Sequence, residues 1–147
     1  MTSVPKPSMA GVKRRGYKRP APMESLPTED EEQRTVADWL DAHGVLWFHV
    51  PNGGFRHIAT AMRLKKLGLK AGVPDIIIVD RPGMVENGKL YVGAAIEMKR
   101  RRGGMVSPEQ NEWLLSLEQR GWKCKVAKGS DEAIKFLTEC GYAERED

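Results

Sequence analysis

The chain has 147 residues, 40% of them hydrophobic, and a formal net charge of +4. This length suits a single domain with a modest core and does not require a second domain. No segment approaches the roughly 18 apolar residues of a membrane span, and no apolar stretch follows the basic N-terminus, so neither a span nor a signal peptide is expected. We therefore expect a cytoplasmic protein without membrane contact, whose two cysteines stay reduced.

The positive charge is concentrated at the N-terminus. Residues 1–22 contain six Lys and Arg and no acid, so the remaining residues carry a net charge of −2. The same segment holds four prolines and few large apolar residues. Residues 1–27 are therefore predicted to be a disordered tail and residues 28–147 to form the folded domain. The tail is either a basic arm that binds nucleic acid or a solubilising leader without a specific role.

The first predicted helix spans residues 29–43, and Thr28 begins a capping box before it. Its apolar stripe includes Val36 and, one and two turns earlier, the acids Glu32 and Glu29. A buried acid is costly unless it is paired or bound to a metal. Glu32 is therefore the first candidate for a metal ligand from this helix and Glu29 the second. The alternative is that Glu32 only favours the helix N-terminus.

Residues 45–50 are rich in aromatic residues and valine, which predicts a strand, and a loop with two glycines follows it. Glycines permit a close approach of the backbone, so this loop could admit a phosphate. We predict that Asn52 and Gly53, together with the nearby Arg56, contact nucleic acid. A short basic helix is predicted next, over residues 58–67.

Two predicted strands carry the residues that indicate chemistry. Asp75 opens the apolar run 76–79, which is typical of a strand buried on both faces. A second strand leads into Glu97-Met98-Lys99, where a period of two places Glu97 and Lys99 on one face and Met98 on the other. If these strands pair through the turns between them, Asp75 and Glu97 converge on one hard cation, with Lys99 beside it.

This combination suits metal-dependent cleavage of a phosphodiester. A bound Mg²⁺ polarises the phosphoryl oxygen and lowers the pKa of an attacking water. Asp75, Glu97 and the main-chain carbonyl of Met98 are the predicted ligands, with waters and substrate phosphate completing the octahedron. Lys99 is predicted to orient the water or to stabilise charge on the phosphate. The alternative is that Glu97 and Lys99 form only a surface ion pair worth about 0–1 kcal/mol.

Three arginines, Arg100, Arg101 and Arg102, directly follow Lys99. Charged residues at such a position often form only a solvated surface. Their proximity to an acidic metal site favours a second interpretation, in which they bind the phosphate backbone that must approach the cation.

The next predicted helix spans residues 108–120 and begins with a strong start signal. Ser107 is the predicted N-cap and Gln110 stands at the third helical position. Gln110 either closes the capping box on Ser107 or points across to Lys99 and the scissile phosphate, and we expect one role to exclude the other. Two further elements are predicted after it: a strand over residues 122–127 and a helix that Ser130 caps and Gly141 ends.

The motifs at the site resemble those of the VRR-NUC family, a branch of the restriction-endonuclease-like nucleases. The resemblance covers roughly residues 29–140. It implies an α/β fold with an αβββαβ core, in which helices flank a mixed central sheet, and cleavage that depends on Mg²⁺ or Mn²⁺. It also implies catalytic roles for Asp75, Glu97, Lys99 and Gln110, with a first-helix glutamate near the metal. The segments that carry it are Gly72-Val73-Pro74-Asp75, Ile96-Glu97-Met98-Lys99, Ser107-Pro108-Glu109-Gln110 and the stretch His49-Val50-Pro51-Asn52-Gly53-Gly54.

The predicted function is therefore a metal-dependent, structure-selective DNA nuclease. Similarity to small stand-alone members suggests branched DNA such as Holliday junctions as the substrate and a homodimer as the active form, because two symmetric nicks need two sites. The alternative is a non-catalytic nucleic-acid-binding module on the same fold. The basic tail alone would support that alternative, whereas the intact set of Asp75, Glu97 and Lys99 argues against it.

Overall fold

The structure is a computed structural model that describes residues 25–51, 57–83 and 85–144. Most of the predicted tail and the loop candidates Asn52, Gly53 and Arg56 lie outside these ranges. In chain order the elements are α1 (Glu29–Ala42), β1 (Trp47–His49), α2 (Ile58–Lys66), β2 (Ile76–Ile78), β3 (Val85–Glu86), β4 (Lys89–Leu90), β5 (Gly93–Lys99), α3 (Pro108–Gln119), β6 (Trp122–Lys128) and α4 (Ser130–Glu139), followed by a 3₁₀ turn (Tyr142–Glu144).

The central sheet has four strands in the order β1-β2-β5-β6. The pairs β1–β2 and β2–β5 are antiparallel, and β5–β6 is parallel, with α3 as the crossover. Taken in order, α1, β1, β2, β5, α3 and β6 form the predicted αβββαβ core with its mixed sheet, which confirms the fold class. The helix α2 and the small hairpin β3–β4 are insertions between its strands.

Local sequence signals determine where most helices begin. Thr28 and Ser107 each close a capping box at the start of α1 and α3, as predicted. The prediction that Ser130 caps α4 is wrong. Gly129 occupies the N-cap with φ +91° and offers no capping side chain of its own, while the Ser130 N–H donates to the carboxylate of Glu32. A carboxylate from α1 thus performs the capping role that we expected of the serine hydroxyl.

The first strand is shorter than residues 45–50, although its hydrogen bonds to the β2 segment extend beyond both ends. The Val79 N–H donates to the Leu46 carbonyl, and the Val50 N–H donates to the Asp75 carbonyl. Toward α1, the Val45 N–H donates to the Leu40 carbonyl and the Leu46 N–H to Asp80 Oδ2, which holds the connection between α1 and β1.

The hydrophobic core lies between one face of the sheet and the helices α1 and α4. Alternation along the strands sends Asp75, Glu97 and Lys99 to the opposite face, which α3 approaches. Among the described residues, no helix combines the length and apolar character needed to span a bilayer. The core side chains that α1, the sheet and α4 contribute include Val36, Leu40, Ile76, Ile78, Ile96, Met98, Phe136 and Leu137.

The loop that leads into Asp75 packs directly on the first turn of α3. Gly72 has φ +83°, and a Cβ at this position would lie 2.5 Å from the Glu109 carbonyl carbon and 2.7 Å from the Gln110 nitrogen. Both the left-handed conformation and the close approach require glycine. This contact places the loop before Asp75 beside Gln110.

We expect Gly72→Ala to destabilise the fold more than Gly68→Ala. Gly68 has φ +106° but open space around it, so its substitution costs only conformational strain, about 1–2 kcal/mol. At Gly72 the backbone must also move away from α3, which adds about 1–3 kcal/mol. The measurement is the free energy of unfolding in urea for both variants. Equal losses would contradict the close packing of this loop on α3.

Candidate active site

The antiparallel register of β2 and β5 brings two acids together. Ile76 lies opposite Ile96, and one residue further the same register places Asp75 opposite Glu97. Side chains opposite each other in such a pair have Cβ atoms about 4.5–5.5 Å apart. The Met98 N–H donates to Asp75 Oδ2 at 2.8 Å and holds this carboxylate across the strand end.

Glu97 is the most buried acid of the site, with 1% of its surface exposed. Lys99 Nζ lies 3.0 Å from its Oε1, and Gln110 Nε2 donates to the same oxygen at 2.5 Å. The other oxygen, Oε2, is buried and has no hydrogen-bond partner in the described part of the chain. A buried carboxylate oxygen without a partner is costly, so this atom calls for a partner that the described residues do not supply.

Burial and proximity make both acids resist ionisation. Burial, together with the charge of Asp75, raises the pKa of Glu97 to about 7 against the opposing effect of Lys99. Burial also raises the pKa of Asp75, against the hydrogen bond from Met98 and the charges of Lys99 and His49. Two carboxylates with raised pKa values that face each other favour the binding of a positive ion between them.

The residues fit a hard divalent cation. Carboxylate oxygens are the ligands that Mg²⁺ prefers, and a bound cation would give Glu97 Oε2 the partner that it lacks among the described residues. In a strand, the N–H and C=O of one residue point to the same edge, so the Met98 carbonyl is directed to the side on which its N–H meets Asp75. The described residues contain no group of three His, Cys, Asp or Glu that could hold a metal, so water and substrate would fill the remaining positions.

Gln110 closes the capping box and also contacts the site. Its Oε1 accepts the Ser107 N–H at 2.8 Å, which closes the capping box, and its Nε2 donates to Glu97. The expectation that the capping role excludes a contact with the site is wrong, because a primary amide has an acceptor at one end and a donor at the other. The observed partner is Glu97, whereas we predicted Lys99 and the scissile phosphate. The first turn of α3 is thereby fixed to the Glu97 carboxylate.

Glu32 is buried as predicted, but both of its oxygens are committed within the protein. Its Oε1 accepts from Arg101 Nε, and its Oε2 accepts the Ser130 N–H at 2.6 Å. The bond from Arg101, assisted by the one from Ser130, lowers the pKa of Glu32 to about 2. This placement argues against the predicted metal-ligand role, since burial of this acid is compensated by an arginine.

Glu29, the second candidate, makes only the last of the electrostatic contributions that raise the pKa of Glu97. The sequence argument selected the more buried acid and missed the arginine that pairs with it. His49 lies on β1, and its Nδ1 is 2.8 Å from the Asp75 carbonyl oxygen and 2.8 Å from Gln33 Nε2.

The three arginines after Lys99 do not form one group. Arg101 binds Glu32 and lies 3.5 Å from Asp131, so its charge is neutralised and the predicted phosphate contact is not supported. Arg100 and Arg102 are exposed and make no ion pair with any described residue. Only these two remain available for a phosphate backbone.

Comparisons with known proteins agree with this geometry. The sequence model of the VRR-NUC domain matches residues 27–131. A solved structure of a "VRR_NUC domain protein" is 28% identical and superimposes with a TM-score of 0.64, over 84% of this chain and 95% of that one. No curated protein matches the chain. Because the domain match spans well over half of the sequence and includes every residue of the site, the chain belongs to the VRR-NUC family of nuclease domains, which act on DNA.

Proposed function

We propose that this protein is a metal-dependent, structure-selective DNA nuclease that hydrolyses phosphodiester bonds in branched DNA, with Holliday junctions as the preferred substrate. The observation that supports metal dependence is the facing pair of acids, the partly buried Asp75 and the buried Glu97, in which Glu97 Oε2 has no partner among the described residues. Membership of the VRR-NUC family supports phosphodiester cleavage as the reaction.

Each side chain has a separate task in this mechanism. Asp75, Glu97 and the Met98 carbonyl would hold Mg²⁺ or Mn²⁺, which supplies Lewis acidity and a water of lowered pKa. Lys99 and Gln110 both bind Glu97 Oε1, so they orient the carboxylate with Oε2 directed to the cation. The Lys99 ammonium is 11% exposed and stabilises the negative charge that grows on the phosphate during hydrolysis.

The proposal of a homodimer that acts on branched DNA rests on the number of catalytic centres in one chain. One chain offers one catalytic centre, whereas resolution of a four-way junction needs two incisions on strands of like polarity. A two-fold dimer supplies both. The exposed Arg100 and Arg102, close to Lys99, are suited to hold the phosphates of the arms.

Substitution at the site should separate metal binding from catalysis. Asp75→Asn and Glu97→Gln keep the side-chain shape but remove a charged ligand, so both should lose Mg²⁺ binding by calorimetry and cleavage of DNA. Lys99→Ala should retain the metal and lose on the order of 10²-fold in rate.

Lys123→Ala is the matched control, because it breaks another ion pair with a 3.0 Å separation, to Glu86, on the distant hairpin. Its cleavage rate should equal that of the wild type. Full activity of Asp75→Asn in Mg²⁺ would refute the catalytic assignment.

The stability of the metal-free protein should fall as pH rises. The pKa of Glu97 is 4.5 when unfolded and about 7 when folded, so between these values the folded state holds a proton that the unfolded state has lost. At about 1.4 kcal/mol per pKa unit, the free energy of unfolding should decrease on the order of 3 kcal/mol from pH 4.5 to pH 7 and then level off.

Glu97→Gln should remove this decrease and make the metal-free protein more stable than the wild type at pH 8. Urea titrations in EDTA at pH 5 and pH 8 measure it. Excess Mg²⁺ should raise the stability of the wild type at pH 8 and leave that of Glu97→Gln unchanged. The same pH dependence in both proteins would show that Glu97 ionises normally in the folded state.

The active form should be a dimer that makes paired cuts. We expect a solution mass of twice the chain at working concentration, and symmetric incisions across a mobile four-way junction at a higher rate than on a flap or a linear duplex of equal length. Light scattering and mapping of the cut positions test this. A strictly monomeric species that cleaves linear duplex as readily as the junction would overturn the junction proposal and leave the nuclease assignment standing.

A further inference from the structure

Arg101 lies in the turn that follows β5, two residues after Lys99, and its guanidinium is bound to a buried partner. Arg101 Nε donates to Glu32 Oε1, and a second nitrogen donates to Oε2 at 3.4 Å. The two residues are 69 positions apart in sequence, and Glu32 is only 2% exposed. A two-armed bond to a buried carboxylate fixes the direction of a guanidinium far better than a single surface contact.

The stem of Arg101 also packs on Gly129, the residue between β6 and α4. A Cβ at Gly129 would lie 2.9 Å from Arg101 Cγ and 3.0 Å from Nε, so the side chain rests on the backbone at the N-cap of α4. The Gly129 N–H donates to the Lys99 carbonyl at 3.0 Å. Arg101 therefore packs against the residue whose N–H anchors the Lys99 main chain.

The same turn folds back over Lys99 from the other side. A Cβ at Gly104 would lie 2.9 Å from Lys99 Cβ and 3.2 Å from the Arg100 nitrogen. The backbone from Lys99 to Gly104 thus encloses the base of the lysine side chain. A shift of this turn would move the ammonium that lies beside Glu97.

We propose that Arg101 is a positioning residue: its bond to Glu32 holds the turn after β5, and thereby the Lys99 ammonium, in place for phosphodiester cleavage. This inference rests on the nuclease function proposed above. It reverses the expectation that Arg101 binds phosphate, since Glu32 and Asp131 already neutralise its charge. The Glu32 carboxylate is itself held in position, because the Ser130 N–H at the start of α4 donates to its other oxygen.

The primary test compares Arg101→Gln with Arg100→Gln and Arg102→Gln on the full chain. Loss of the Arg101–Glu32 bond should lower kcat about 10-fold to 10²-fold, as small misplacements of a catalytic group do, with KM within about two-fold. DNA affinity in Ca²⁺ and its salt dependence should not change. The two neighbouring substitutions should instead weaken DNA binding and flatten the salt dependence by about 0.9 in log–log slope for each contact on duplex.

Two further variants distinguish positioning from general stability. Arg101→Lys keeps the charge near Glu32 but cannot make the two-armed bond, so it should stay folded and still lose kcat. It is also the informative variant if Arg101→Gln does not fold. Glu32→Gln combined with Arg101→Gln should lower kcat no more than either single change, because both remove the same interaction.

Amide hydrogen exchange gives a readout that is independent of activity. In Arg101→Lys the Gly129 amide should lose protection, while the Val92 amide, which donates to the Gly121 carbonyl at a remote site, should keep it. An inactive wild type would overturn the nuclease proposal, whereas unchanged exchange at Gly129 would overturn the positioning role of Arg101. An Arg101→Gln variant with normal kcat and a reduced salt slope of DNA binding would also overturn the positioning role, because Arg101 would then be a phosphate contact.

Discussion

A buried carboxylate, Glu97, that faces the partly buried Asp75 across a strand pair is the constraint on which the rest of this site depends. An acid in such a place is destabilising unless charges and hydrogen bonds compensate for its lost hydration. The Met98 N–H binds Asp75, and Lys99 and Gln110 bind one oxygen of Glu97. All of this compensation leaves Glu97 Oε2 without a partner among the described residues, and a divalent cation would complete it.

The starts of two helices support this arrangement in different ways. At α3, Gln110 both closes the capping box and binds the Glu97 carboxylate, so the helix begins where that carboxylate has a donor. At α4, the Ser130 N–H in the first turn donates to the Glu32 carboxylate from α1, and Arg101 pairs with the same carboxylate. The start of α3 thus contacts Glu97 directly. The start of α4 contacts the main chain of Lys99 through the Gly129 N–H.

The sequence by itself determined where most helices and strands lie and that Glu97 and Lys99 share one face, whereas the αβββαβ arrangement was implied by the resemblance to the VRR-NUC family. The former features follow from short-range rules: a period of two in strands, apolar stripes in helices, and capping boxes at Thr28 and Ser107. Such signals lie within a few residues of the feature that they specify, so one chain is enough to detect them. The same rules failed at Ser130, where a distant carboxylate replaced the local cap.

Only the tertiary structure decided which charged side chains reach the site. Glu32 and Glu29 share one helical stripe, yet Glu32 pairs with an arginine far along the chain, while the charge of Glu29 acts on Glu97. Arg101 likewise follows the same sequence pattern as its exposed neighbours. The physical reason is that the energy of a charge depends on partners and burial that chain folding brings from remote positions. Periodicity predicts which face a residue occupies, and it contains no information about what the rest of the chain places opposite it.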